Sequence, residues 1–278
     1  MGQAKGLEDI QKRLDQGIQD VMTGEKFQEW LRFLSSFHAY SFNNTILIYQ
    51  QNPQATLVKG FQEWKKHGRF VTKGAKAIMV LAPLIRKKKE KEEKREGQGK
   101  EGKELYGFRY VNVFDVASTD GQDLPAPPVQ TLEGDGETEK TLLQDWIKKI
   151  EIPVRLEDTG DANGYYHLVE GYIALHEKRS MLQQLKTLIH EYAHHLLHAK
   201  GAPFEKENRA IREAQAEAVA YVVLHHFGYE TGEYSFGYIA GWTQDLQIMK
   251  RIGTAIVSCS HQIIERLEKH SPNKGATA

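Results

Sequence analysis

The segment His190-Glu191-Tyr192-Ala193-His194 constrains this chain of 278 residues more than any other feature. Residues four apart lie on the same face of an α-helix, so both imidazoles can reach a single metal ion. The carboxylate next to the first histidine can then act as a general base toward a water molecule that the metal acidifies. The spacing therefore predicts a helix with zinc ligands at His190 and His194 and a catalytic base at Glu191.

The residues around this motif predict where its helix begins and ends. Ser180 and Gln183 have the spacing of a capping box, and Gly201 follows the last apolar turn, which predicts a helix of about five turns. Apolar side chains recur at helical spacing between these limits: Leu185, Leu188, Ile189, Tyr192 and Leu196. This pattern predicts a buried stripe, and the motif histidines fall beside it.

Two further histidines, His195 and His198, lie on the same predicted helix. His194 and His198 are also four residues apart, but no glutamate follows His194, so this second pair lacks a base. We interpret His195 and His198 as ordinary residues of the polar face of the helix.

A catalytic zinc site needs a third protein ligand, and one continuation of the motif is excluded. Metzincins carry glycine and histidine at the positions that Leu197 and Lys200 occupy in this chain. The chain is therefore not a metzincin, and its third ligand comes from another segment.

Nineteen residues after His194 come Glu213 and, four residues further, Glu217, which open a second predicted helix that runs to His226 and becomes apolar almost all round. A carboxylate in such a helix needs a metal, a cation or several hydrogen-bond donors, because burying an isolated charge is very unfavourable. The alternative is that the two glutamates pair with Arg209 and Arg212 on an exposed face.

The order of these motifs, HExxH followed by Glu-x-x-x-acid, resembles that of the gluzincins, the thermolysin-like zinc peptidases. The resemblance implies that Glu213 is the third zinc ligand and that Glu217 holds the second ring nitrogen of His190. The pattern leaves open which donor stabilises the tetrahedral oxyanion, and Tyr238 and His225 are the two candidates.

Charge is balanced overall, with 37 basic and 37 acidic side chains, but it is unevenly distributed. Residues 1–124 carry a net charge of +5 and residues 125–278 a net charge of −5, while residues 25–89 hold twelve basic and three acidic side chains. A single cysteine, Cys259, excludes an intrachain disulfide and fits a reducing compartment. Because no apolar run reaches the length of a membrane span and residues 1–20 are too polar for a signal peptide, we predict a soluble cytoplasmic protein without a membrane partner.

Composition along the chain predicts two domains. Residues 86–104 contain no apolar side chain, which predicts a flexible charged insertion between two strands. Residues 125–139 are rich in proline, glycine and acidic residues and predict a linker. We expect the α+β class, with an N-terminal α+β nucleic-acid-binding domain over residues 1–124. A mainly helical, zincin-like metallopeptidase domain with a small sheet should follow over residues 140–278.

Both halves resemble known families. The N-terminal half contains Tyr40-Ser41-Phe42-Asn43-Asn44, Gln51-Asn52-Pro53, Gly68-Arg69 and Val113-Phe114-Asp115-Val116. This pattern resembles the ArdC-type single-stranded-DNA-binding domain of antirestriction and mobile-element proteins, which implies single-stranded DNA as a partner. The HExxH segment with Ala193 and the Glu213-x-x-Ala216-Glu217 segment resemble the ImmA/IrrE zinc peptidases. That resemblance implies a protein substrate, such as a repressor or another DNA-bound protein.

Basic residues are interspersed with aromatic ones in the N-terminal half. The candidate DNA-binding residues are Trp64, Lys65, Lys66, Arg69, Lys73 and Lys76. Such a segment suits a groove that tracks phosphates while aromatic rings stack on bases. The alternative is that Trp64 belongs to the core and that the lysines only keep the surface soluble.

Two functions are consistent with these patterns. The first is a zinc-dependent endopeptidase with an N-terminal single-stranded-DNA-binding domain, acting as a mobile-element or stress-response protein on a DNA-associated substrate. The second is a single-stranded-DNA-binding antirestriction protein whose metal site is structural or accessory. The intact Glu191 favours the first, because a purely structural zinc has no use for a base at that position.

Overall fold

The computed structural model describes residues 2–21, 25–87, 103–124, 136–229 and 245–269. The chain divides into two compact units: unit 1 comprises residues 1–46 and 125–278, and unit 2 comprises residues 47–124. The predicted α+β class with two domains is confirmed. Among the described helices, none combines the length and apolar character that crossing a bilayer requires.

Unit 1 is mainly helical. Its helices are α1 (Gly2–Val21), α2 (Glu25–Ser36), the first half of α3 (Phe42–Gln51), α5 (Glu137–Lys149), α6 (Met181–His198), α7 (Arg209–His226) and α8 (Leu246–Glu268). Helix α7 is the central one and packs against α2, α6 and α8. Every residue from 218 to 224 is buried, which explains why this stretch is apolar on all sides.

The N-terminal helices belong to unit 1, whereas the sequence predicted a boundary at residue 124. The apolar residues of α2, including Phe27, Trp30 and Leu34, are fully buried, and this helix packs on α7. Helix α1 packs on α8, where Lys250 Nζ lies 2.7 Å from Asp15 Oδ1. Long-range burial of amphipathic faces therefore decides the unit to which the first 46 residues belong.

A three-stranded sheet completes unit 1, with strands β6 (Val154–Glu157), β7 (Gly164–His167) and β8 (Tyr172–His176) in the order β6-β8-β7. Strand β8 is buried throughout and pairs parallel with β6 and antiparallel with β7. At Gly164 a Cβ would lie 2.4 Å from the Ala174 carbonyl oxygen and 2.6 Å from Thr187 Cγ2, so only glycine lets β7 approach α6 this closely.

Unit 2 is built from the end of α3, α4 (Phe61–Lys66) and five strands. The strands are β1 (Val58–Gly60), β2 (Arg69–Val71), β3 (Ile78–Lys87), β4 (Lys103–Asp115) and β5 (Thr119–Gly121). They form an antiparallel sheet in the order β1-β4-β3 and a separate β2-β5 pair.

Two predicted boundaries change. The ladder between β3 and β4 continues through Arg86↔Glu104 to Lys87↔Lys103, so these four residues belong to strands and not to the insertion predicted over 86–104. The rest of that predicted insertion, residues 88–102, lies outside the described residues. Backbone hydrogen bonds between the two strands sustain this part of the ladder without apolar side chains. The linker predicted over 125–139 lies outside the description up to residue 135, and α5 already begins at Glu137.

Candidate metal centre

Local capping fixes the two helices that carry the candidate site. The Ser180 hydroxyl accepts a hydrogen bond from the Gln183 N–H at 3.2 Å, so α6 begins at the predicted capping box. The Asn208 side chain accepts from the Ile211 N–H at 2.9 Å, and α7 therefore begins at residue 209 rather than at Glu213. This earlier start places Glu213 inside the first turns of the helix instead of at its end.

Three side chains from these helices converge. His190 Nε2 and His194 Nε2 are 3.1 Å apart, and Glu213 Oε2 lies 3.5 Å from each of them. Ligands of a tetrahedral zinc ion, with bonds of about 2.0–2.1 Å, are separated from one another by roughly 3.3 Å. The triangle formed by the three atoms therefore has the dimensions of one face of a metal coordination sphere. These residues could hold a metal ion, and we call His190, His194 and Glu213 the triad.

The second ring nitrogen of His190 is also occupied. Its Nδ1 lies 2.8 Å from Glu217 Oε2, and Lys186 Nζ lies 3.1 Å from the other oxygen of that carboxylate. The structure thus brings Glu217 to the nitrogen that the gluzincin resemblance implied. With Nδ1–H donating to a carboxylate, the lone pair of Nε2 points toward the other two side chains of the triad.

The side chains of this site shift one another's pKa values because they lie close together. Burial lowers the pKa of His190, but hydrogen bonds to Glu213 and Glu217 outweigh it and raise the pKa to about 9. Hydrogen bonds to His190 and His194 hold the pKa of Glu213 well below its usual range. Burial raises the pKa of Glu217, but the His190 hydrogen bond and charge reverse this into a net lowering. The carboxylates of Glu213 and Glu217 are therefore ionised, and a metal cation can take the place of the proton on His190.

The second histidine of the motif has a partner that the sequence analysis missed. His194 Nδ1 lies 3.0 Å from His198 Nδ1, and His198 Nε2 lies 2.9 Å from Gln215 Oε1. His198 is buried, and burial is the main cause that lowers its pKa to about 4, so it is neutral at pH 7. One tautomer satisfies every contact: His194 Nδ1–H donates to His198, and His198 Nε2–H donates to Gln215.

The interpretation of His198 as an ordinary polar-face residue is therefore wrong. The spacing of four residues between His194 and His198 was the only sign of this contact in the sequence. On its own, that spacing indicates a second pair of metal ligands rather than a hydrogen-bond partner for His194. His195 contacts no ligand, and its Nδ1 lies 2.9 Å from the Tyr166 hydroxyl on β7.

Glu191 lies beside the triad in a largely buried position. Burial raises the pKa of its carboxyl, His190 and His194 lower it, and the Tyr166 backbone N–H donates a hydrogen bond to it, with a net raised value. Strand β7 thus holds the carboxylate through the backbone of Tyr166. A carboxyl with a raised pKa and a fixed orientation has the properties of a general base.

Of the two candidate donors to the oxyanion, the structure describes His225 but not Tyr238. His225 lies twelve residues beyond Glu213 on α7, a distance of about 18 Å along the helix axis. Its Nδ1 lies 3.1 Å from the Ser35 hydroxyl on α2, so the structure does not bring it to the triad. Tyr238 lies outside the described residues.

The candidate DNA-binding residues of unit 2 form two groups. Trp64 has no exposed surface, and its indole N–H donates to the Phe114 carbonyl at 2.8 Å, so it cannot stack on a base. Arg69 donates to the hydroxyl and carbonyl of Thr119 and to the Gln122 carbonyl, which fixes the β2-β5 pair. The lysines of the set are exposed: Lys65, Lys66, Lys73 and Lys76. The core interpretation of Trp64 is the correct one.

Comparison with known proteins finds two family models, each of which matches a different part of the chain. Residues 5–114 match the model of the N-terminal domain of anti-restriction factor ArdC. Residues 147–226 match the model of the IrrE N-terminal-like domain of the peptidase M78 family. The second match includes both helices of the triad, so the candidate metal centre lies within the segment that is similar to the IrrE N-terminal-like domain.

Three individual proteins are similar to this chain. The uncharacterized protein pXO2-81 of Bacillus anthracis is 25% identical over 280 residues, which cover 86% of this chain and 47% of that protein, so this chain spans about half of that relative's length. The metal-free crystal structure of the antirestriction protein ArdC from plasmid R388 has a TM-score of 0.55 at 18% identity, covering 88% of this chain and 97% of that one. Its Mn(II)-bound structure has a TM-score of 0.54 at 17% identity, covering 94% and 99%.

Proposed function

Because the chain joins an ArdC-type N-terminal domain to an IrrE-like domain of the peptidase M78 family, we propose that it is a zinc-dependent endopeptidase with a single-stranded-DNA-binding module. The observation that carries the proposal is the convergence of His190, His194 and Glu213 beside a largely buried Glu191. A structural site would use a fourth protein ligand, whereas three ligands leave one position for water or substrate.

Each residue has a role in peptide hydrolysis. When bound, the ion supplies a Lewis acid that polarises the peptide carbonyl and acidifies a water molecule. Glu191 takes a proton from the attacking water and delivers it to the amine nitrogen as the C–N bond breaks. Glu217 and His198 fix the ring orientation of His190 and His194, and the Tyr166 N–H fixes Glu191.

The position of β7 supports a peptide as the substrate. It is an edge strand of its sheet, it packs against α6, and it carries Tyr166. An extended chain can add to such an edge by backbone hydrogen bonds, which would carry its scissile bond past Glu191. We therefore propose a protein substrate that presents an extended segment.

The DNA-binding part of the proposal rests on unit 2. Over residues 58–87 and 103–115 the chain has ten lysines and arginines and three acidic residues. Basic side chains on a small sheet domain can neutralise phosphates, so affinity should fall as salt rises. Binding of a labelled oligothymidylate by the full chain at two salt concentrations, compared with a duplex, tests this part.

A second candidate function is a single-stranded-DNA-binding antirestriction protein with an accessory metal. The similarity of the chain to nearly the whole of an antirestriction protein favours it. In that case the metal would stabilise unit 1 without any hydrolysis.

One set of variants separates the two functions. We expect Glu191→Gln to keep the full metal content and to lose hydrolysis, and Glu213→Ala to lose both. Metal per chain is measured by plasma mass spectrometry after loading with zinc. Hydrolysis is measured as new N-termini in a mixture of bacterial proteins. Glu177→Gln, an exposed residue of the same unit, is the matched control. If Glu191→Gln and wild type produce the same N-termini, the endopeptidase proposal is wrong.

A further inference from the structure

The β3-β4 hairpin of unit 2 has two unlike faces. Residues paired across an antiparallel ladder point to the same side, and the side alternates along each strand. The pairs Ile78↔Val113 and Val80↔Val111 belong to the covered face, where Ile78, Val80 and Val113 are at most 7% exposed. The alternate pairs, Met79↔Asn112, Leu81↔Tyr110 and Pro83↔Phe108, form the opposite face.

This opposite face exposes apolar rings to solvent. Phe108 is 49% exposed, and Tyr106, the extra residue at the bulge beside Leu84 and Ile85, is 54% exposed. Large contiguous apolar patches on soluble proteins mark binding sites, so a cluster of exposed rings on one hairpin is a candidate for one. We call Met79, Pro83, Tyr106 and Phe108 the hairpin platform.

The surroundings of the hairpin platform are basic. The Arg86 guanidinium lies 5.5 Å from the centre of the Tyr106 ring, which places a cation against one of the platform rings. Over residues 58–87 and 103–115 the chain carries ten lysines and arginines against three acidic residues. Two of these acidic residues are engaged elsewhere. Lys66 pairs with Glu63 at 2.6 Å, and Asp115 is buried and accepts hydrogen bonds from the amides of residues 56, 57 and 117. A surface of rings among cations is complementary to unpaired bases on a phosphate backbone.

The burial of Trp64 removes the aromatic residue that the sequence favoured for stacking. We propose that the hairpin platform is the surface on which single-stranded DNA stacks its bases, with Tyr106 and Phe108 as the stacking residues. This inference rests on the proposed DNA-binding function of unit 2 and specifies where the strand lies. A duplex keeps its bases stacked on one another, so rings that face outward from a sheet select for single strands.

The test uses the full chain and a fluorescein-labelled oligothymidylate of about 16 nucleotides, which is near the upper site size of small sheet domains. We expect Phe108→Ala and Tyr106→Ala each to weaken binding by at least about fivefold, since a stacked base contributes roughly 5- to 150-fold in affinity. Tyr106→Phe and Phe108→Tyr keep a ring and should bind like the wild type. Fluorescence anisotropy gives the affinities, and thermal melting verifies that each variant is folded.

Phe70→Ala is the matched control, because Phe70 is a similarly exposed phenylalanine of unit 2 on β2, outside the hairpin. We expect it to leave the affinity within about twofold. The slope of affinity against salt should stay unchanged in Phe108→Ala, since that slope counts phosphate contacts rather than stacked bases.

The outcomes separate this inference from the function on which it rests. If the wild type does not bind the oligothymidylate, both the DNA-binding function and the platform are overturned. If the wild type binds and a folded Phe108→Ala, Tyr106→Ala double variant binds equally well, only the platform is overturned. Equal losses in Phe108→Ala and Phe70→Ala would also overturn it, because they would indicate a diffuse apolar effect.

Discussion

The two units use aromatic and charged residues in opposite ways. In the part of the chain that the structure describes, the large aromatic residues with strongly exposed rings all lie in unit 2: Phe61, Phe70, Tyr106 and Phe108. Unit 1 instead covers Trp30, Trp146 and Tyr192 and gathers imidazoles and carboxylates into a partly buried group. Metal ligands gain from burial because it fixes their orientation and excludes competing water, whereas a stacking surface works only if its rings remain accessible.

The same contrast explains why similar residues differ in their roles. Trp64 and Phe108 are both aromatic residues of unit 2, but the first is held by a hydrogen bond in the core and the second faces solvent. His195 and His198 are on the same helix, but only His198 contacts a candidate ligand. Position within the packing, rather than residue type, therefore decides which of them acts on a ligand.

The largest expected effect separates the core ring from the surface rings. Trp64→Ala should lower the free energy of unfolding of unit 2 by about 3–5 kcal/mol, because it leaves a cavity and an unpaired Phe114 carbonyl. Phe70→Ala should change it by less than about 0.5 kcal/mol. Denaturant unfolding of the full chain, followed by hydrogen exchange in β1 and β4, measures both. Equal free energies of unfolding for the two variants would show that Trp64 and Phe70 do not differ as core and surface residues.

The next effect tests the partner of the first histidine. Glu217→Gln should weaken zinc binding by about 10- to 100-fold, since the His190 Nδ1–H loses a charged acceptor. Competition with a chromophoric chelator gives the affinity. Glu265→Gln, on α8 and beside Lys269, is the control and should bind zinc like the wild type. An unchanged affinity in Glu217→Gln would mean that the carboxylate plays no part in the centre.

A smaller effect is expected at the second histidine. His198→Ala should weaken zinc binding by about tenfold, because the neutral His198 is a weaker acceptor than a carboxylate but still orients His194. His195→Gln, three residues earlier on the same helix, should leave the zinc affinity unchanged because His195 contacts Tyr166 instead. Comparable losses in both variants would show that the effect is not specific to the His194 contact.

The smallest expected effect concerns pH and lies away from the metal centre. Burial, followed by the charge of His226, lowers the pKa of His38, although Glu268 and a backbone hydrogen bond to Ser35 act in the other direction and His261 adds to the lowering. Below pH 6.5 the unfolded state binds a proton that the folded state does not, so the free energy of unfolding of unit 1 should decrease as pH falls through this range.

His38→Gln removes this group and should flatten the pH dependence slightly. Chemical unfolding of wild type and variant between pH 5 and 7 (about the range in which a histidine titrates), with a chelator present throughout, measures the difference. A steeper decrease in His38→Gln than in the wild type would contradict the lowered pKa of His38.

How much the sequence predicts depends on the range of the interactions. Capping residues act within one turn, so Ser180 and Gly201 were sufficient to bound α6. The resemblance to the gluzincin order of motifs singled out Glu213 and Glu217, which the structure places beside His190. Which unit the first 46 residues join depends on packing between distant segments, and the local pattern of α2 carries no information about its partner.

The remaining differences arise from the side that each residue faces. The alternation in β4 separates Phe108 from Val111 and Val113, but it does not show which face the rest of unit 2 covers. Trp64 is adjacent to lysines in the sequence, yet α4 directs it inward. The contact between His194 and His198 depends on ring orientation and on Gln215 from another helix, and neither is visible in a linear pattern.

Hydrogen–deuterium exchange of the Glu191→Gln chain tests most directly whether unit 1 binds the metal and unit 2 binds single-stranded DNA. It is recorded without ligand, with zinc, and with oligothymidylate. The account predicts that zinc slows exchange in α6 and the first half of α7, and that the oligonucleotide slows exchange in β3 and β4. Slower exchange of the hairpin with zinc, or of α6 and α7 rather than the hairpin with the oligonucleotide, would contradict it.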